Sequence, residues 1–492
     1  MPSFAAPPRV PVPLLGNRVN RWMQQRRHVT VGLRRPGHSK AMWFWALAAC
    51  LANVACARLP DMSLKVPRNA PTKPSVIDGH GALNEREAAS LLAKRLGHTR
   101  ADAKTLAALE EAASGRPLIA GNNVKLLFDG PSIITAMLVA VAGAKDTINL
   151  ETYLFDQDPL GMKFADALIA KQKEGVQVSI IYDCVGTLGT PQAFFDRMQA
   201  AGIRLLPYHP VSPFHRLGHW RINNRDHRKI LVVDGKVAFT GGVNITAAYS
   251  SSSLFRSHAK NRTSVGWRET HIQIEGPAVT ALQWLFLDNW ASQKEGALPD
   301  RDYFPLQPAV GNKVVRVLGS QPGGDYEIYK TYFLAIQSAT KSIHITVAYF
   351  APDAQILRAL AEAVRRGVDV KIILPSVSDG GPVLYAGQSF YTQMLKAGIS
   401  VYALKTSVLH AKTAVIDGSW STVGSTNLDM RSFLHNKEVN VVVLGDDFGR
   451  EMERAFRDDL KDTNQITLEQ WERRPLGQRL KEWFARLLSY WL

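Results

Sequence analysis

Apolar residues recur at helical spacing at Leu83, Ala88, Leu91, Leu92 and Leu96, and again at Leu106, Leu109 and Ala112, before a Gly115-Arg116-Pro117 stop. That spacing predicts a small helical hairpin. Beyond it the pattern changes to short, continuously apolar runs, and it repeats. Ala144 to Phe155 (AKDTINLETYLF) matches Ala339 to Phe350 (ATKSIHITVAYF), each a helix end followed by an apolar strand closing on aromatics. Gly175-Val-Gln-Val-Ser-Ile-Ile matches Gly367-Val-Asp-Val-Lys-Ile-Ile, and Ala201-Gly202-Ile203 matches Ala397-Gly398-Ile399. Runs of this kind, each after an Ala/Leu-rich helical segment, suit strands buried on both faces. Strands alternating with helices predict an α/β fold with parallel sheets, here in two similar units over residues 118–300 and 301–465.

The two ends of the chain read differently. Residues 1–40 are Pro- and Arg-rich with no period. Ala41 to Ala57 are seventeen residues without a charge, at the lower limit for a transmembrane helix. A basic flank ahead of this segment and small residues at its end fit export, so residues 1–57 are read as a leader with an apolar membrane or signal segment. Cys50, after Leu47-Ala48-Ala49, and Cys56, at the end of the apolar run, are candidates for lipidation; a plain signal anchor or a buried helix is the alternative. Either attachment places the protein in a bacterial membrane or envelope. Residues 58–117 are read as linker and helical hairpin, with 61–82 as the linker. In 466–492 apolar residues at 476, 480, 483, 484, 487, 488, 491 and 492 form a helical stripe, with Arg479, Lys481 and Arg486 off it. An amphipathic helix follows, lying either in a bilayer surface or against the domain.

Composition narrows the function classes. Hydrophobic residues make up 46% and charged residues 21%, values that exclude general disorder. Three cysteines exclude a disulfide scaffold and a Cys-rich zinc module. The net charge of +16 suggests nucleic acid, but residues 1–58 hold eight Arg and one Lys with no Asp or Glu. More than half of the excess therefore belongs to the leader, and no nucleic-acid partner is expected.

The closest repeat carries the chemistry. His227-Arg-Lys229, Asp234, Gly241-Gly242 and Asn244 recur as His410-Ala-Lys412, Asp417, Gly424-Ser425 and Asn427, at a common offset of 183 residues. Glu269 and Glu438 each open a following strand. On a strand, positions i and i+2 share a side, so each imidazole stands beside an ammonium. Lys229, Lys412, Asn244 and Asn427 converging would cradle a phosphate and its transition-state charge. Two histidines supply a nucleophile and an acid, and the glutamates can fix their tautomers. The lysines supply the charge a metal would bring, so no metal and no cofactor is expected. Asp234 and Asp417 each precede Gly, the pattern of a tight hairpin, which competes with a direct catalytic role.

These residues resemble the paired HKD motifs of the phospholipase D superfamily, from about residue 118 to the C-terminus. Trp267-Arg-Glu269, Gly424 to Ser432 and Asn436-Lys-Glu438 are similar to bacterial cardiolipin synthases. The resemblance implies two phospholipase D-like units packed around one pseudo-twofold site. It implies a catalytic set of His227, Lys229, Asp234, His410, Lys412 and Asp417, supported by Asn244, Asn427, Ser425, Glu269 and Glu438. It further implies a phosphohistidine intermediate on His227, with His410 as acid and then base. The expected product is cardiolipin, from phosphatidylglycerol or from phosphatidylethanolamine plus phosphatidylglycerol. The expected partners are phospholipid substrates and a membrane, with the chain a monomer. The chain departs from its own symmetry at Gly242 against Ser425. The stretch 207–225 is an insertion ahead of His227, and 250–266 is a Ser-rich basic loop. A phospholipase D releasing phosphatidic acid is the same-class alternative. An exported phosphodiesterase-type nuclease is the different-class one, although single-unit nucleases of this superfamily build the site by dimerisation and this chain carries both halves.

Overall fold

The computed structural model describes residues 58–62, 73–96, 101–210, 223–249, 266–294, 296–378 and 381–490. The leader with Cys50 and Cys56, residues 211–222 and 250–265 of the two insertions, and Trp491 lie outside the described residues. Among the described residues no helix is long and apolar enough to cross a membrane.

Two strand arrangements follow the same pairing order. In the first, Thr147–Thr152 pairs parallel with Gln177–Asp183, which pairs parallel with Arg204–Tyr208. On its other side Thr147–Thr152 pairs antiparallel with Ile230–Val233, followed by Val237–Gly241, Thr270–Glu275 and Leu118–Phe128. In the second, Ser342–Val347 pairs parallel with Asp369–Pro375 and this with Ser400–Leu404. Antiparallel to Ser342–Val347 runs Lys412–Ile416, followed by Trp420–Gly424, Asn436–Leu444 and Lys313–Ser320. Lys313 and Val315 pair in turn with Asn122 and Ile119 of Leu118–Phe128, so one continuous hydrogen-bonded series runs through both.

Local chemistry explains the repetition. Every residue of Gln177–Asp183 is buried, as a strand covered on both faces requires. The helices Pro159–Lys173 and Ala354–Arg365 are capped by Asp158 and Asp353, whose carboxylates accept the first free amides. Val232, Ile272, Val415 and Val441 sit in a single core cluster, so apolar faces from both arrangements bury each other.

Part of the expected linker is a strand, and the helices of the expected small hairpin pack into the core. Val76–Asp78 is a short strand beside Leu118–Phe128, because Val76 and Ile77 extend its apolar edge. Helices Glu85–Leu96 and Ala101–Ser114 are not a free accessory. Ala88, Leu92, Leu96 and Ala107 share a core cluster with Leu318, Tyr332 and Trp420. Glu110 is buried within it, pairing with Arg316 and accepting from Trp420 Nε1 at 2.8 Å.

The two motif aspartates sit at hairpin turns with φ of 52° at Asp234 and 53° at Asp417. Each is followed by a Gly that also has positive φ, the two-residue turn their sequence predicts. Asp234 accepts from the amides of Lys145, Asp146 and Thr147 at 2.9, 2.7 and 3.0 Å. Asp417 accepts likewise from Thr340, Lys341 and Ser342 at 3.0, 2.6 and 3.0 Å. Each carboxylate therefore ties the motif hairpin to the start of the neighbouring antiparallel strand, Thr147–Thr152 or Ser342–Val347. Asp234→Ala leaves three amides without their acceptor and should cost about 2 kcal/mol of stability. Thermal unfolding should show a lower midpoint, with the expected activity of the folded protein at low temperature retained within about threefold. Lost turnover at an unchanged midpoint would instead make Asp234 part of the chemistry.

Candidate active site

Neither motif histidine lies within a regular strand of its own sheet. The segment before each one runs beside the glutamate strand of the other arrangement. Arg225–Asp226 pairs parallel with Asn436–Lys437, and the His227 amide donates to the Lys437 carbonyl at 2.9 Å. Val408–Leu409 pairs parallel with Trp267–Arg268, and the His410 amide donates to the Arg268 carbonyl at 3.0 Å. The residue after each accepting carbonyl is a glutamate, so the partners are crossed. His227 Nδ1 lies 3.0 Å from both carboxylate oxygens of Glu438. His410 Nδ1 bonds Glu269.

Both imidazoles border one cavity of about 360 Å³, with Asn244, Asn427 and Arg431 among its walls. The lysines sit beneath it, fully or nearly fully buried. Lys229 Nζ donates to the His227 carbonyl at 2.7 Å, and Lys412 Nζ donates to that of His410. Asn244 accepts from the Leu154 amide at 3.2 Å and donates to the Tyr249 hydroxyl at 3.2 Å. Asn427 Oδ1 is buried without a hydrogen-bond partner in the protein. The structure thus brings nine of the expected residues to or directly behind the cavity and leaves Asp234 and Asp417 at their turns. Among the described residues no group of three His, Cys, Asp or Glu side chains is placed to hold a metal ion.

Burial dominates the electrostatics. It holds both imidazoles well below the ordinary histidine range, and the nearby lysine charges push the same way. Burial raises Glu269 and Glu438 to about 7, opposed by the lysines. The resting site therefore has uncharged imidazoles between buried ammonium and carboxyl groups. The two carboxyl groups are not equivalent. Glu438 also accepts from Ser425 Oγ and from Asn436 Nδ2 at 3.0 Å, both of which favour its ionised form. Glu269 has the Thr270 amide at 3.1 Å and no serine, because Gly242 stands where Ser425 does. A Cβ on Gly242 would overlap the Glu269 carboxylate.

Several wall residues escaped the sequence reading. Tyr153 packs edge-on to His227 at 5.3 Å and under Lys229 Nζ at 5.4 Å. Tyr349 stands likewise by His410 at 6.4 Å and Lys412 at 6.0 Å. Their signal was present as the aromatics closing each repeated strand. Tyr249, whose hydroxyl lies 3.2 Å from His410 Nδ1, has no counterpart in the other repeat and gave none.

Two H-x-K motifs facing one cavity on this α/β scaffold define a phospholipase D-like enzyme. The family described as "Cardiolipin synthase, PLD-like domain" matches residues 137–254 and 332–460. The cardiolipin synthase of Geobacillus kaustophilus is 35% identical over 377 residues, 76% of this chain and 73% of that protein. That of Halalkalibacterium halodurans is 35% identical over 419 residues, 84% and 79% of the two chains. The crystal structure of phosphatidylserine synthase from Haemophilus influenzae shares the fold, with a TM-score of 0.56 at 16% identity over 75% of this chain and 95% of that one. The chain belongs to the cardiolipin synthase family of phospholipase D-like proteins.

The asymmetry behind the histidines is testable. Ser425→Ala should lower turnover about tenfold, the equivalent of one charge-assisted hydrogen bond. Gly242→Ser should lower it at least about a hundredfold by displacing Glu269. Wild-type turnover in Gly242→Ser would mean that the two positions are interchangeable. A second expectation concerns pH. Burial lowers Lys229 to about 7, so its charge is present below that pH and lost above it. The pH profile of kcat/KM reports the free enzyme and should fall about tenfold per unit on the alkaline side of 7 to 8. A flat profile up to pH 9.5 would contradict a role for the Lys229 charge.

Proposed function

We propose that this phosphatidyltransferase makes cardiolipin by two displacements at one pseudo-twofold site between two phospholipase D-like units, residues 118–300 and 301–465. The observation that carries the reading is the crossed pairing of both motif histidines around a single cavity. In the first step His227 Nε2 attacks the phosphorus of a phospholipid. The N–P bond forms as the P–O bond to the headgroup alcohol breaks, and His410 gives that oxygen its proton. In the second step His410 takes the proton of an acceptor hydroxyl, whose oxygen attacks phosphorus as the N–P bond breaks. Glu438, held by Ser425 and Asn436, keeps its charge behind the nucleophile and offsets the cation that forms on His227. The pair His410–Glu269 has fewer donors and holds a proton more readily. An arriving phosphodiester brings a negative charge towards Lys229 and Lys412, which weakens the repulsion that depresses both imidazoles and lets His410 become charged.

Phosphatidylglycerol, alone or with phosphatidylethanolamine, supplies donor and acceptor. Arg431 on the cavity wall suits an anionic second lipid. The enzyme works at a bacterial membrane as a monomer. The apolar segment 41–57 holds it there, with or without a lipid on Cys50 or Cys56. Neither metal nor cofactor enters, since the lysines carry the required charge.

Water, at about 55 M, competes for the phosphohistidine, so the product ratio separates transferase from hydrolase. Radiolabelled phosphatidylglycerol should give mainly cardiolipin with phosphatidic acid as the minor product, in the presence of EDTA as in its absence. His227→Ala should lower the rate at least about a thousandfold, and His227→Ala/His410→Ala scarcely further. Phosphatidic acid dominating at high lipid concentration would make the enzyme a phospholipase D. DNA cleavage without lipid turnover would make it a nuclease.

A further inference from the structure

The C-terminal helix Leu476–Leu487 is packed inside out. Its inward residues are Glu482, 2% exposed, and Ala485. Glu482 is bound by Arg474, with Nη2 at 2.8 Å. Two of the helix's cations also face the protein, Lys481 over the Tyr385 ring at 5.4 Å and Arg486 over the Phe390 ring at 4.5 Å. The apolar side is turned outward. Leu476 is 75% exposed, Leu480 59%, Trp483 56%, Phe484 61% and Leu487 62%. Trp483 and Phe484 stack edge-on at 4.9 Å. A helix docked merely to complete the core would bury this stripe. Burying its carboxylate and exposing five large apolar residues costs free energy unless something covers them.

Charge identifies the cover. Across residues 473–490 the only acidic side chain is the buried Glu482, paired with Arg474, while Arg479, Lys481 and Arg486 share the helix with the ridge; Arg473 ahead of it is paired with Glu469. A ridge of Leu, Trp and Phe on a helix that carries three cations and no exposed carboxylate matches an anionic bilayer surface. Its position suits the chemistry. The helix packs on Gly381–Gln388, whose Val383 lines the cavity, and the Tyr490 ring meets that of His435 at 5.2 Å, one residue from the cavity residue Asn436.

We propose that this ridge docks the catalytic unit on anionic phospholipid bilayers, with Trp483 and Phe484 entering the headgroup–acyl boundary beside the cavity. The proposal rests on the phospholipid reading of that cavity. It supplies what a single N-terminal anchor lacks, a fixed orientation of the cavity at the lipid surface.

The test compares one full-length variant, Trp483→Asp/Phe484→Asp, with the wild type. Cardiolipin formation is measured on vesicles of equal phosphatidylglycerol and phosphatidylcholine and on detergent micelles of the same phosphatidylglycerol. The expected result is a loss of at least about tenfold on vesicles with the micelle rate within twofold, since each exposed aromatic contributes through insertion alone. A conservative single variant, Trp483→Phe, should keep the wild-type vesicle rate. An unchanged vesicle rate, or equal losses in both assays, would overturn the proposal. A wild-type dimer in light scattering that the variant dissolves would assign the ridge to a second copy and overturn it too. If the wild type makes cardiolipin in neither assay, the phospholipid reading itself fails, an outcome distinct from the others.

Discussion

Each motif imidazole in this protein is held by a carboxyl group from the opposite half of the chain. The strand segments that carry Glu438 and Glu269 run beside the segments that deliver His227 and His410, so backbone pairing and side-chain pairing enforce each other. Neither half can complete a site alone, because each would present a buried carboxyl group without its imidazole. The shared cluster of Val232, Ile272, Val415 and Val441 keeps the two halves in register behind this crossing.

The crossing also explains how so many ionisable groups are tolerated in a dry interior. Two lysines, two carboxyl groups and two imidazoles lie buried at or behind one cavity, each imidazole bonded to a carboxyl group and each lysine to the backbone carbonyl of its motif histidine. Burial favours the uncharged form of Lys229, Glu269 and Glu438 and opposite charges restrain it, whereas at the two imidazoles the lysine charges add to burial. Such an arrangement contributes little to stability. In the proposed mechanism it leaves imidazoles whose protonation responds to an arriving phosphate. Ser425 behind Glu438 and Gly242 beside Glu269 make the two otherwise similar pairs unequal.

Much of this was legible from sequence because repetition is a strong signal. The strands after Gly175 and Gly367 read as continuous apolar runs; the first is buried on both faces throughout and the second from Ile372 onward. The H-x-K spacing and the Asn positions led directly to the cavity. Asp234 and Asp417 belonged to the same motif, but their Asp-Gly turns already pointed to the backbone role they have. Three features were not legible. Which glutamate serves which histidine depends on pairing between segments 211 and 141 residues apart, which periodicity does not encode. Helices Glu85–Leu96 and Ala101–Ser114 read as a separate hairpin because an amphipathic pattern gives a buried face without naming its partner. The stripe in Leu476–Leu487 was plain, yet its outward direction follows from Glu482, Lys481 and Arg486 finding partners on the protein, a tertiary fact.

The crossed arrangement is tested most directly by following the covalent adduct in a single turnover. A phosphodiester with a good leaving group removes the need for acid in the first step, so adduct formation then depends on His227 and the group behind it. Rapid quenching and peptide mass spectrometry should place the adduct on His227. Glu438→Gln should slow its formation, while Glu269→Gln should leave formation intact and let the adduct accumulate. An adduct on His410, or a first step blocked by Glu269→Gln and indifferent to Glu438→Gln, would contradict the account.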